Sequence, residues 1–236
     1  MTTSGTVAFN LDLNNVVEEA FERCGSELRT GGDLRTARRS LNLLTIEWAN
    51  RGINLWTIEE GSIAMVADTA TYNLPVDTID LLDMIMRTGS GTAQSDLTLT
   101  RISVTTYSSI PAKNVTGRPV QAWIDRRSGA TESSGVINPT ITVWPVPDQS
   151  SKYTLVYYRL RRVQDVGAAG TVTQDIPFRF LPAMVSGLAF YMSAKIPEAI
   201  PRRQELKADY EEQFRFAADQ DREKAPLRIA PRIFPI

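Results

Sequence analysis

The sequence predicts an α+β protein: a helical bundle formed by the N- and C-terminal segments, an inserted antiparallel β-sandwich or barrel-like domain, and an extended C-terminal tail. Three observations predict it. Apolar residues recur at helical spacing only towards the two ends of the chain, in 10–54 and 176–224. Between them, 55–175 holds short β-branched and aromatic runs punctuated by Gly, Ser, Pro and Asp. The third is Phe180 to Ala194, FLPAMVSGLAFYMSA, which carries no charge and mixes large apolar side chains with small ones. Met184, Val185, Leu188, Ala189, Tyr191 and Met192 go around most of a helical cylinder, so this helix is expected at the centre of the bundle. It is too short for a bilayer, which needs about 20 apolar residues.

The elements follow in order. Leu13, Val16, Val17, Ala20, Phe21 and Cys24 make the apolar stripe of a first helix, with Glu18, Glu19, Glu22 and Arg23 opposite and Gly25 as its stop. Cys24 lies on the stripe and is expected to be a buried structural thiol. Asp33 is expected to cap a second helix running to about Asn50. Leu34, Ala37, Leu41, Leu44 and Trp48 form its main stripe; Leu43, Ile46 and Ala49, beside Arg35, Arg38 and Arg39, form a partial second one. A helix apolar on two sides touches two neighbours, either within the fold or in another subunit. Strands are expected at 63–67, 81–87, 97–102, 120–125, 140–144 and 153–158. Pro182 opens or kinks the central helix, and Pro201 can open a last helix with Leu206, Tyr210, Gln213, Phe214 and Ala217 on one face. The tail, 225–236, reads APLRIAPRIFPI. Three prolines rule out a continuous helix, while Leu227, Ile229, Ile233, Phe234 and Ile236 are too apolar for an ordinary solvated end. Such a segment docks, either back on its own domain or, as preferred here, on a partner.

Composition excludes several functions. With no histidine and one cysteine, the chain lacks the commonest metal ligand and general base and cannot form an internal disulfide. No catalytic residue, cofactor or metal site is expected. A net charge of −1 argues against tight phosphate binding. The Gly/Ser loops lack the Lys of a phosphate-binding P-loop. MTTSGTVAFN has neither the charged start nor the apolar core of a secretion signal, so the Asn114-Val115-Thr116 sequon is expected to stay unmodified.

The order of local signals is more specific. Trp48-Ala49-Asn50-Arg51-Gly52-Ile53-Asn54-Leu55-Trp56 is followed by Tyr72-Asn73-Leu74-Pro75-Val76-Asp77 and Leu81-Leu82-Asp83. Arg118-Pro119, Trp144-Pro145-Val146-Pro147-Asp148 and Tyr157-Tyr158-Arg159 come next. Then follow Asp175-Ile176-Pro177, the apolar helix with Leu188-Ala189, a helix with Arg203, Leu206 and Tyr210, and finally Ala217, Asp219, Asp221 and Arg222. From about Leu13 to Pro231 this resembles the head-to-tail adaptor family of short-tailed bacteriophages, the tail tubular protein A or packaged-DNA stabilisation proteins. The resemblance implies a non-enzymatic virion protein at the head–tail junction, made in the host bacterial cytoplasm. It implies a homo-oligomeric ring of about twelve copies closed by heterologous contacts. That ring would bind the portal protein above and the tail nozzle protein below, and touch passing double-stranded DNA transiently and without specificity. No membrane partner is implied. On this reading Leu227, Ile229, Ile233, Phe234 and Ile236 bind the portal or an adjacent subunit, and Leu43, Ile46, Arg35, Arg38 and Arg39 form the subunit interface. Two other readings are another neck or nozzle ring subunit, and a virion peptidoglycan hydrolase using Glu59-Glu60 or Asp80 and Asp83. Sequence neighbours on a strand point to opposite faces, which disfavours the hydrolase.

Overall fold

The computed structural model describes residues 5, 11–29, 31–52, 55–127, 131–132, 135–166 and 175–221. The chain divides into two units, Met1–Leu55 with Gln164–Ile236, and Trp56–Val163.

The first unit is helical. Its α1 (Leu13–Arg23) starts where the Asp12 carboxylate accepts the Asn15 amide at 2.8 Å. It ends at Gly25, whose φ of 75° suits a residue without a Cβ, with the Ser26 amide reaching back to the Phe21 carbonyl. The next helix, α2 (Gly31–Asn50), begins two residues before Asp33, so Asp33 is not its cap. Instead the Asp33 carboxylate lies in the first turn and accepts the Arg29 amide, just before the helix. The central helix, α4 (Leu181–Ser193), carries Pro182 in its first turn and buries every residue from Ala183 to Ala189. It packs against α1, α2 and α5 (Arg203–Gln220). Gly187 is where they come closest: a Cβ there would lie 2.8 Å from Leu44 Cδ2 and 2.9 Å from Tyr210 Cε2. Pro201 sits inside a 3-10 segment, Pro197–Arg202, and α5 opens after it. Leu206, Tyr210, Phe214 and Ala217 form its buried face. Cys24 is buried and donates to the Ala189 carbonyl, and burial pushes its thiol up to about 11. A thiol so protonated at neutral pH is structural.

The second unit is built on two sheets around one apolar core. In the first, β1 (Ile58–Ala64), β12 (Tyr153–Arg161), β3 (Thr78–Thr88) and β4 (Ser95–Thr98) lie in that order, all antiparallel. Met84 opposes Tyr157 and Met86 opposes Leu155, which places the four on the inner face. The second sheet orders β2 (Thr71–Asn73), β10 (Thr140–Trp144), β7 (Gln121–Asp125) and β5 (Thr100–Arg101). It contributes Tyr72, Ile141, Val143, Ala122 and Ile124 to the same core. No closed barrel forms. The chain changes sheets at Leu99, whose amide bonds the Met84 carbonyl while the next amide, Thr100, bonds Val120. It enters the second sheet without reversing, so β5 runs parallel to β7. A second parallel pair joins β6 (Thr116–Gly117) to β11 (Val146–Pro147). The domain is therefore mixed rather than purely antiparallel. Short additions complete it: α3 (Val104–Ser108), and a hairpin of β8 (Thr131–Glu132) with β9 (Gly135–Val136).

The strand expected at 63–67 in fact begins at Ile58. Its first half is hidden in the sequence by Glu59 and Glu60, whose partners lie across the ladder on β12. Arg159 and Arg161 bond Glu59 at 2.7 and 2.6 Å, and the Tyr158 hydroxyl donates to Glu60. Asp80 is likewise held by Arg101 and Arg126. Each carboxylate weighed for hydrolysis, Asp83 apart, is thus engaged by a donor side chain, and Glu59 and Glu60 do not converge.

Candidate assembly interface

The face of α2 turned away from α4 is exposed and has no covering element among the described residues. The 3.6-residue repeat that buries Ala37, Leu41, Leu44 and Trp48 carries Arg35, Arg39, Leu43 and Ile46 to the opposite side. Leu43 is 55 % and Ile46 57 % exposed. At the N-terminal half of the helix, Arg35, Arg38, Arg39 and Asn42 line an open groove of about 600 Å³. Among the described residues none of the three arginines has a carboxylate partner. Arg39 donates to Thr36 Oγ1 at 3.3 Å, and Arg38 keeps its Nε covered and unbonded. A buried guanidinium N–H without an acceptor is costly, and among the described residues this one has none.

Two further groups, absent from the sequence reading, shape this surface. Lys195 lies beyond the end of α4 and donates to Ser40 Oγ at 2.6 Å. Its ammonium is held below the usual lysine range, first by burial and then by the positive charge of Arg39. Asn42 uses its Oδ1 to accept the Val166 amide at 3.0 Å, fixing the chain segment beside the groove. Neither had a sequence signal, because each acts through a residue more than 100 positions away. Leu43, Ile46, Arg35 and Arg39 thus share the outer side of one helix, while the half-buried Arg38 lies on its flank. Leu227, Ile229, Ile233, Phe234 and Ile236 lie outside the described residues.

Behind this face sits a polar network that fixes α2 against its neighbours. Glu47 accepts from the Tyr191 hydroxyl at 2.6 Å and the Tyr210 hydroxyl at 3.1 Å, while Trp48 Nε1 donates to Tyr210 at 2.9 Å. Arg51 grips Glu211 through two bonds of 2.8 and 2.9 Å and stacks over Phe214. Burial first, then the bond to Glu47, pushes Tyr191 up to about 12.

A family model for the SU10 adaptor protein matches residues 12–230. The chain belongs to that family. It is a family of phage head-to-tail adaptors, structural proteins of the virion, and the match covers both units of the structure. A search of curated proteins returned no match. Among the described residues no group of His, Cys, Asp or Glu is arranged to hold a metal, and no helix is long and apolar enough to cross a membrane.

Proposed function

We propose that the protein forms a ring that docks beneath the portal, extends the DNA channel and provides the attachment site for the tail nozzle. The observation that carries the reading is the outer face of α2, where Leu43 and Ile46 are exposed beside three arginines that have no acid partner among the described residues. In a ring closed by head-to-tail contacts, one face of each subunit meets a different face of the next. The apolar pair supplies area and the arginines supply orientation, by taking acceptors on the neighbouring subunit. A near-neutral chain suits a channel wall that lets DNA slide, since strong binding would need clustered unopposed cations facing the phosphates. Leu227, Ile229, Ile233, Phe234 and Ile236 act in this reading as a strap on the portal or an adjacent subunit. Prolines keep such a strap extended and lower the entropy lost on docking.

Negative-stain imaging of purified protein, alone and with portal, tests the reading. Wild type is expected to give rings stacked on the portal. L43D/I46D is expected to keep its far-UV circular dichroism and lose the rings. Rings formed equally well by the variant would remove α2 from the interface. Co-purification with the nozzle protein but not the portal would favour a nozzle ring subunit instead.

A further inference from the structure

A second groove, of about 500 Å³, runs between α1 and the first turns of α4. Leu181, Pro182 and Val185 form its apolar floor, and Glu18, Glu19 and Glu22 its rim. Glu19 is paired with Arg23 at 3.0 Å. Glu18 and Glu22 are exposed, lie one helical turn apart, and have no ionic partner among the described residues. Like charges at that spacing repel, and a cation laid over them relieves the repulsion.

The chain carries a segment of matching chemistry a few residues beyond Asp221, the last described residue. α5 is followed by Asp221, whose buried carboxylate is bonded by Arg179. Arg179 precedes Leu181, the first floor residue, by two positions, so the chain leaves α5 near one end of the groove. Beyond it, Arg228 and Arg232 alternate with Leu227, Ile229 and Ile233. Extended at about 3.1 Å per residue, Leu227 to Ile233 covers roughly 20 Å, close to the ~16 Å length of α1. Pro226 and Pro231 favour that extension. The N-terminal MTTSGTVAFN carries no charged side chain and offers the glutamates nothing.

We propose that the α1–α4 groove receives the chain's own C-terminal segment, with Leu227 and Ile229 on the apolar floor and Arg228 and Arg232 against Glu18 and Glu22. The free subunit then covers the side chains that a strap must present, and a partner gains the strap only by outcompeting the groove. The docking stands on the helical unit alone and holds whether or not the partner is a portal.

Two measurements on the full-length protein test it. Trypsin cuts after Arg228 and Arg232, and mass spectrometry times the release. E18K/E22K is expected to release the tail at least tenfold faster than wild type with unchanged circular dichroism. In the second, E18C/R228C and E18C/R232C are oxidised with glutathione disulfide at low protein concentration. At least one pair is expected to form an intramolecular bridge in the monomer. Equal trypsin rates, or no bridge in either pair, overturns the proposal. A bridge found only between two chains also overturns it, by assigning the groove to the tail of a second copy.

Discussion

Tyr210 shows how much one side chain carries in this bundle. Its ring lies against Phe190 and Phe214, its hydroxyl accepts from Trp48 and donates to Glu47, and its edge closes on Gly187. Y210F keeps the packing but strands the buried Trp48 N–H, which costs on the order of 1–3 kcal/mol. Urea denaturation should show that loss, with the slope unchanged. Tyr191 sets a pH limit. Its folded pKa of about 12 lies above the value of about 10 for an unfolded tyrosine. A raised folded pKa means the folded state holds the proton longer, so its stabilisation is complete below about pH 10 and is lost as pH rises towards 12. Urea midpoints measured from pH 9 to pH 12 should fall, and Y191F should flatten the fall. An equal slope in Y191F would assign the alkaline loss to other groups.

At the scale of elements, α4 is held by fit. Its residues from Ala183 to Ala189 are all buried, and its smallest, Gly187, faces Leu44 of α2 and Tyr210 of α5 at once. G187A must push both neighbours back, and overpacking of this kind costs about 1–3 kcal/mol. Glycine-to-alanine changes within helices otherwise stabilise, by reducing the freedom of the unfolded chain. A raised melting temperature for G187A would therefore show that α2 and α5 do not close on this residue. The ladder of β1 on β12 makes a related point. Tyr157 lies over Gly61, where a Cβ would come within 2.6 Å of ring atom Cε2, so the glycine is a seat for the ring.

For the whole molecule, we propose that the β unit is an independently folding insertion and the two terminal segments one discontinuous helical domain. The chain passes from one unit to the other between Leu55 and Trp56 and returns between Val163 and Gln164. The β unit has its own core, from Met65 and Tyr72 through Tyr157. Its edge is tied by Arg159, which bonds both Glu59 and Asp77. Burial raises the Asp77 carboxyl, but the bond and charge of Arg159 outweigh it and hold it below the usual range. Residues 56–163 expressed alone should unfold cooperatively in urea. A non-cooperative, molten fragment would show that the β unit depends on the helices.

What the sequence determined by itself was the periodic part. The stripes of α1, α2, α4 and α5, and the strand at Thr140–Trp144, follow from side chains that must face the core of their own unit. The order of those signals from Trp48 to Arg222 was enough for the adaptor resemblance. What only the tertiary structure decided was anything resting on a partner distant in the chain. Glu59 and Glu60 look unlike a strand until Arg159, Arg161 and Tyr158 stand opposite. The parallel pairing of β5 with β7 depends on a sheet-to-sheet corner at Leu99, which local propensity does not encode. Leu43 and Ile46 were legible as a second stripe, but a stripe does not say whether its cover lies inside the fold. The packed structure leaves both exposed, and the glutamate rim of α1 became a groove only once α4 supplied its floor. Local periodicity fixes which side of an element is apolar; three-dimensional packing decides which of those sides remain unpartnered.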